Sequence, residues 1–298
     1  MQGLILLNKP KGITSFSAVS SIRRKAGEKK VGHTGTLDPM AEGVLPILLG
    51  RATSLSSLLL DAEKRYIAGI KLGIKTDTDD ITGEVVEQKE VSVDKTMLKN
   101  AIEKFKGEIT QTPPMYSALK KDGVRLYTLA RNGVTVEIPK RKVTIFDIEL
   151  LEELNDENCF TIEVFVSKGT YIRSLARDIG DLLGCGATLV SLQRTYASGF
   201  DIKDCVKLDN LNEENISNHI LNEEKAVEYL PEIKVTKPQA VRFCNGGQLS
   251  FERLNLKDAE NEQLFRIKHN NLFLGIGIAD TKRNQIAIKC IINYPNNE

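Results

Sequence analysis

With 298 residues and 41% apolar content, the chain can build one large domain plus a smaller appendage. Five scattered cysteines without a CxxC pair, and three histidines with no second ligand at metal spacing, argue against a disulfide scaffold and against a zinc site. No apolar run reaches the length of a membrane span and Met1 to Leu7 lacks the basic flank of a signal peptide, so the expectation is a cytoplasmic protein with no membrane partner and with buried, reduced thiols.

The net charge of +1 argues neither for nor against nucleic acid, but its distribution is uneven. Lys9, Lys11, Arg23, Arg24, Lys25, Lys29 and Lys30 meet few acids, and a second basic stretch runs from Lys120 and Lys121 through Arg125 and Arg131 to Lys142. Carboxylates collect at 147–157 and 213–232. A solvated surface explains either basic run alone; together they allow one basic and one acidic face.

In chain order, residues 3–7 read as a strand, and Ser15 caps a helix that carries Val19, Ile22 and Ala26 on one face. Next comes Gly32-His33-Thr34-Gly35-Thr36-Leu37-Asp38-Pro39, a Gly/Thr turn holding a single carboxylate and leading into the apolar run 44–49, which anchors it in the core. Residues 66–72 alternate as a strand, and 94–105 have helical spacing with an acid at the start. Between 107 and 141 prolines, glycines and bases suggest an excursion from the sheet with a short amphipathic piece at 126–131, and such excursions often carry function. Residues 143–151 and 160–167 alternate about a polar turn at 155–158 and read as a hairpin, followed by a helix over 171–183. An acidic helix is expected to end near Pro231. Strands at 265–268, 272–278 and 285–292 then form a second domain, so the expected division is 1–232 and 233–298.

Gly27 and Gly32 have the spacing of a phosphate-binding loop, but His33 stands where its lysine belongs, and no Gly-x-Ser-x-Gly elbow occurs. Asp38 remains. Alone it is ordinary turn chemistry. Arg173 lies in the first turn of a predicted helix, where it could hold a loop carboxylate ionised, although a surface arginine is the plainer explanation. Tyr66 follows two bases at a strand start, where a core role is the commoner one.

Six ordered blocks give these weak signals a common meaning: Leu7-Asn8-Lys9-Pro10-Lys11-Gly12, the Gly32 to Pro39 block, Lys64-Arg65-Tyr66, Gly73-Ile74-Lys75-Thr76-Asp77-Thr78-Asp79, Thr112-Pro113-Pro114-Met115-Tyr116-Ser117-Ala118 and Ser167-Lys168-Gly169-Thr170-Tyr171-Ile172-Arg173. Over this region the chain resembles the TruB family of bacterial tRNA pseudouridine synthases. The resemblance implies an α+β fold, with a mixed, mainly antiparallel central sheet flanked by helices and loops, and a small β-rich PUA-like C-terminal domain. It implies conversion of uridine 55 in the T loop of elongator tRNAs to pseudouridine by a monomer, with no metal, cofactor or obligatory protein partner.

The resemblance also implies site roles: Asp38 the essential acid, Arg173 its partner, and Tyr66 a ring stacked on the uracil or a proton acceptor. His33 would enter the T loop in place of the flipped base, while Lys9, Tyr171, Leu192, Lys120, Lys121 and Arg125 would contact RNA, with Lys9 alternatively a buttress. Two departures are Val166, where many relatives have Cys, and Gln193, which interrupts the usual Leu-Arg-Arg and removes one candidate phosphate contact. The alternatives are an RNA chaperone or binding protein on the same scaffold, or a sister synthase acting on another RNA. A nucleoside glycosidase is disfavoured because no matched second acid is evident.

Overall fold

The first strand, β1 (Gly3–Lys9), is apolar at nearly every position because both of its faces are covered. Ile5 and Leu7 point into a core shared with the flanking helices, and Leu4 and Leu6 into a second cluster that includes C-terminal residues. The computed structural model describes residues 1–60, 62–117, 119–121, 123–125, 128, 136–155 and 157–295, with the backbone alone at 120, 121, 124 and 125.

The strands continue with β2 (Val31–His33), β3 (Glu42–Leu49), β4 (Lys64–Leu72), the short pair β5 (Ile74–Thr76) and β6 (Val85–Gln88), then β7 (Gly107–Gln111), β8 (Lys120–Lys121), β9 (Val124–Arg125), β10 (Arg141–Glu152), β11 (Cys159–Val166), β12 (Ala187–Ala197), β13 (Phe200–Asp201) and β14 (Val206–Lys207). Among the described residues ten of these form the central sheet, in the order β14-β1-β3-β12-β4-β11-β10-β7, with β2 paired to β3 and β13 to β12. The β12–β3 and β1–β14 pairs are parallel and the other pairs antiparallel, so the sheet is mixed.

The main helices α1 (Ser15–Ala26), α3 (Lys95–Glu103) and α4 (Ile172–Leu182) cover one face; a short α2 (Ser56–Leu60) lies between β3 and β4. From α1, Ala18, Val19 and Ile22 enter the core, and from α4, Leu175, Ala176 and Ile179 belong to the same cluster. Full burial of each such Leu, Ile or Val contributes about 1.5–3 kcal/mol.

Beyond them, β15 (Glu232–Lys234), α5 (Lys237–Cys244), β16 (Leu249–Ser250), β17 (Leu264–His269), β18 (Leu272–Asp280) and β19 (Gln285–Ile291) build a second sheet, ordered β15-β17-β18-β19-β16. It has a core of its own around Phe243, Phe265, Ile267 and Ile286.

Several expectations need correction. The cap of α1 is Thr14, whose side chain accepts from Ser17 N–H, while Ser15 turns inward and binds both backbone groups of Leu37. The acidic stretch 213–232 forms only the 3-10 turns Ile216–His219 and Glu223–Val227 and the start of strand β15; the Asn212 and Asn222 side chains accept from Glu214 N–H and Glu224 N–H, local bonds that compete with a continuous helix. Residues 107–111 belong to the sheet, so the excursion runs from Gln111 to Arg141. The piece at 126–131 falls almost wholly outside the described residues. Of the cysteines only Cys185 and Cys244 are buried; Cys159, Cys205 and Cys290 are half-buried, and all five are free thiols. No helix of the described residues is long and apolar enough to cross a membrane.

Candidate active site

The loop between β2 and β3 carries Asp38 and is tied down along its length. Thr34 N–H donates to Pro46 O at 3.2 Å and Gly12 N–H to Pro39 O at 2.8 Å. Ser15 Oγ donates to Leu37 O at 3.0 Å and accepts from Leu37 N–H at 2.8 Å. The buried Arg194 side chain reaches in from β12, donating Nε to Val44 O at 2.7 Å and Nη2 to Gly35 O at 3.1 Å. Gly43 is required where β3 starts: its φ is +110°, and a Cβ there would lie 2.2 Å from Arg194 O.

Arg173, 5% exposed in the first turn of α4, places Nε 2.9 Å from Asp38 Oδ2. Its other nitrogens are equally committed: Nη1 to Thr78 O at 3.0 Å and to Asp80 Oδ2 at 3.5 Å, and Nη2 to Tyr116 O at 2.8 Å. The guanidinium is fixed by groups from three segments, so the carboxylate it holds has one orientation.

Asp38 keeps 35% of its side-chain surface open. Even so, the enclosing protein raises its pKa above the ordinary carboxylate value, with Arg173 opposing and Asp80 reinforcing the rise.

Asp80 was missed by sequence reasoning. It is 4% exposed and accepts from Thr82 N–H at 2.9 Å, which aims its second oxygen at Arg173. The block 73–79 stops one residue short of it, and three acids within four positions gave no sign of which one turns inward. Its neighbour Asp79 pairs instead with Arg177 Nη1 at 2.9 Å.

Tyr66, on β4, is 7% exposed and lies in the same core cluster as Leu37 and Met40, the residues flanking the Asp38 turn. Its register partners are Val164 on β11 and Arg194 on β12. Leu192, 8% exposed, belongs to the same cluster. Tyr171 occupies the N-cap position of α4, two residues before Arg173.

His33 ends β2, half-buried, with Gly35 N–H donating to Nδ1 at 3.3 Å. Burial, assisted by the Arg194 charge, lowers its pKa, so the ring is neutral at pH 7. Lys9 is completely buried and donates Nζ to Pro10 O and Ile13 O, each at 2.8 Å. Burial brings its pKa to about 8 despite the pull of Asp38. A lysine spent on two carbonyls in the interior cannot grip phosphate, so the buttress alternative describes it. The side chains of Lys120, Lys121 and Arg125 lie outside the described residues; their backbones form the β8–β9 pair. Gln193 donates Nε2 to Glu42 Oε1 at 3.0 Å and so fastens β12 to the start of β3. Among the described residues no three His, Cys, Asp or Glu side chains converge as a metal site would require.

A mixed sheet that presents an arginine-oriented carboxylate at a rigid turn, with Tyr66 in the core cluster that holds the flanking Leu37 and Met40, fits the class of pseudouridine synthases. Residues 23–172 match the model of the TruB family pseudouridylate synthase N-terminal domain, and residues 173–233 that of the tRNA pseudouridylate synthase B C-terminal domain. The chain is 42% identical over 284 residues to tRNA pseudouridine synthase B of Clostridium perfringens strain 13, covering 95% of this chain and 96% of that one. It is 43% identical over 280 residues to the same enzyme of Azoarcus sp. strain BH72, with 93% and 91% covered. Among solved structures, a chain of the Cbf5-Nop10-Gar1 complex superimposes with a TM-score of 0.72 at 27% identity, over 98% of this chain and 84% of that one. The chain belongs to the TruB family and is a pseudouridine synthase.

Proposed function

We propose that the enzyme converts uridine 55 in the T loop of elongator tRNAs to pseudouridine, acting as a cytoplasmic monomer without a protein partner. The observation that carries this reading is the Asp38–Arg173 pair, a single carboxylate held at a rigid turn. The tRNA pseudouridine synthase B names of relatives at 42% identity support tRNA as the substrate.

The reaction breaks the N1–C1′ glycosidic bond, turns the uracil while bound, and joins C5 to the same ribose carbon, with the proton on C5 lost and one gained at N1. Cleavage develops positive charge at the sugar, as in glycosidases, and an ionised Asp38 stabilises it. Glycosidases need a second acid to manage water or the leaving group; here the base is recaptured, so one suffices. Tyr66 stacks on the uracil and keeps it beside the acid. The target base must leave the T-loop stack, at a cost of a few kcal/mol. A neutral His33 ring is suited to fill the vacated space, since no charge need be desolvated.

The segment bearing Lys120, Lys121 and Arg125 clamps the stem-loop through its phosphates. Residues 233–298 form a PUA-like RNA-binding domain beside the catalytic domain of residues 1–232. To test the proposal, unmodified tRNA and its isolated T-arm hairpin are incubated with the enzyme without metal or nucleotide, and pseudouridine is mapped by carbodiimide-dependent reverse-transcription stops. The expected stop is confined to the T-loop uridine; conversion elsewhere assigns the enzyme to another RNA.

A further inference from the structure

The two strands that frame the excursion meet at one residue of the catalytic helix. Gln111, the last residue of β7, and Arg141, the first of β10, are direct register partners. Both turn to Tyr171. Gln111 is completely buried; its Nε2 donates to Tyr171 O at 3.0 Å and its Oε1 accepts from Tyr171 N–H at 2.9 Å. The Arg141 guanidinium lies over the Tyr171 ring, 4.5 Å from its centroid.

Tyr171 has no side-chain cap bond of its own, and α4 starts with the next residue. The same strand exit grips the helix further along: Thr112 O accepts from Ser174 Oγ at 2.9 Å and from Arg177 Nη2 at 3.0 Å, and Tyr116 O accepts from Arg173 Nη2 at 2.8 Å. Five hydrogen bonds thus fasten the foot of the excursion to the turns that carry Arg173.

An ordinary core residue does not account for Gln111. β7 is the edge of the sheet, and the Gln111 amide extends its hydrogen bonding sideways by pairing both backbone groups of one residue. An apolar side chain would fill the same space and leave Tyr171 N–H unpaired, while Tyr171 C=O would keep only its helical bond from Leu175 N–H. Among the described residues Arg141 Nε and Nη2 are buried without an acceptor, and the guanidinium stacks on Tyr171.

We propose that Gln111, assisted by Arg141, is a positioning residue: it fixes Tyr171 at the N-cap of α4 and so sets Arg173, two residues on, against Asp38. The inference rests on the reading that Asp38 and Arg173 carry the chemistry. Asp38 is faced by Arg173 from α4, by Lys9 from β1 and by Asp80 from the loop after β5. A loosened Arg173 opposes less of the enclosure effect, so the pKa of Asp38 rises further.

The test compares full-length wild type, Gln111→Leu, Gln111→Glu, Arg141→Met and Asp38→Asn in single-turnover pseudouridine formation on unmodified tRNA at saturating enzyme, from acid to neutral pH, with tRNA affinity and melting temperature measured in parallel. For Gln111→Leu the rate falls by roughly tenfold or more while affinity stays within about threefold, and the acid limb of the rate profile moves to higher pH. Gln111→Glu, which keeps the acceptor for Tyr171 N–H, falls between it and wild type. A wild-type rate and acid limb in Gln111→Leu overturn the proposal, as does a slower rate with a lower melting temperature and an unmoved limb. Should Gln111→Leu not fold, Arg141→Met carries the same test, and an unmoved limb there is equally fatal. Turnover by Asp38→Asn would overturn the reading of the site itself, whereas an inactive Asp38→Asn beside a wild-type Gln111→Leu would overturn this coupling alone.

Discussion

Arg173 holds Asp38 through Nε alone, at 2.9 Å, because its two terminal nitrogens are spent on Thr78 O, Asp80 and Tyr116 O. One planar group therefore serves four acceptors, which an ammonium on a flexible stem cannot do. Arg173→Lys should lose nearly as much rate as Arg173→Met, about 100-fold or more in single-turnover assays, with tRNA affinity changed only a few-fold. A lysine variant within threefold of wild type would show that charge matters and geometry does not.

Asp38 makes a prediction of opposite sign for activity and stability. Its pKa in the folded protein is raised, so the folded state binds this proton more tightly than the unfolded chain. The associated stability is present below the unfolded-state pKa, about 3.9, and is lost as pH rises through the folded value. Above that value the ionised acid is a burden. Asp38→Asn, whose amide oxygen still accepts from Arg173, should abolish turnover, leave tRNA affinity within several-fold and melt at a higher temperature than wild type at neutral pH. The difference should vanish in acid, which calorimetry across pH would reveal.

Gly43 couples the sheet to the catalytic loop. With φ at +110° and the Arg194 carbonyl in the space a Cβ would take, Gly43→Ala must push β3 away from β12. The bonds from Arg194 to Val44 O and Gly35 O would shift with it. Loss of about 2–4 kcal/mol in urea unfolding is expected, together with a lower rate. By contrast Gly12→Ala, at a φ of +92° but with open space around it, carries only the backbone strain, about 1 kcal/mol.

The local elements were legible where one physical signal dominated. Period-two alternation gave β10 and β11, and the Asp94 cap with its helical spacing gave α3. Strand β12 at the centre of the sheet was not legible, because it is buried on both sides only over Ala187–Leu189 and is then interrupted by bulges at Leu189/Ser191 and Arg194/Tyr196, which break alternation. For the site, the motif blocks pointed to Asp38, Tyr66 and Arg173, but the inward turn of Asp80, the burial of Lys9 and the two hydrogen bonds between Gln111 and Tyr171 are tertiary facts. A charged or amide side chain reads as surface in a sequence, and only its partners in space show that it is interior.

The C-terminal sheet is joined to the catalytic part by shared core as well as by chain. Phe273, Ile276 and Ile292 pack in one cluster with Leu4, Leu6, Leu48 and Leu59. Around it Gln2 Nε2 donates to Glu223 Oε1 at 2.9 Å and to Asn293 Oδ1 at 2.8 Å, and the Arg51 guanidinium lies 4.7 Å from the centre of the Tyr294 ring. Since β1 supplies Leu4 and Leu6 to this cluster and Ile5 and Leu7 to the main core, a cavity on one side of the strand is transmitted to the other. Phe273→Ala should therefore cost about 3–5 kcal/mol and lower a single cooperative transition of the whole chain. Two separated calorimetric peaks, with only the smaller one moved by the substitution, would show instead that the C-terminal sheet unfolds on its own.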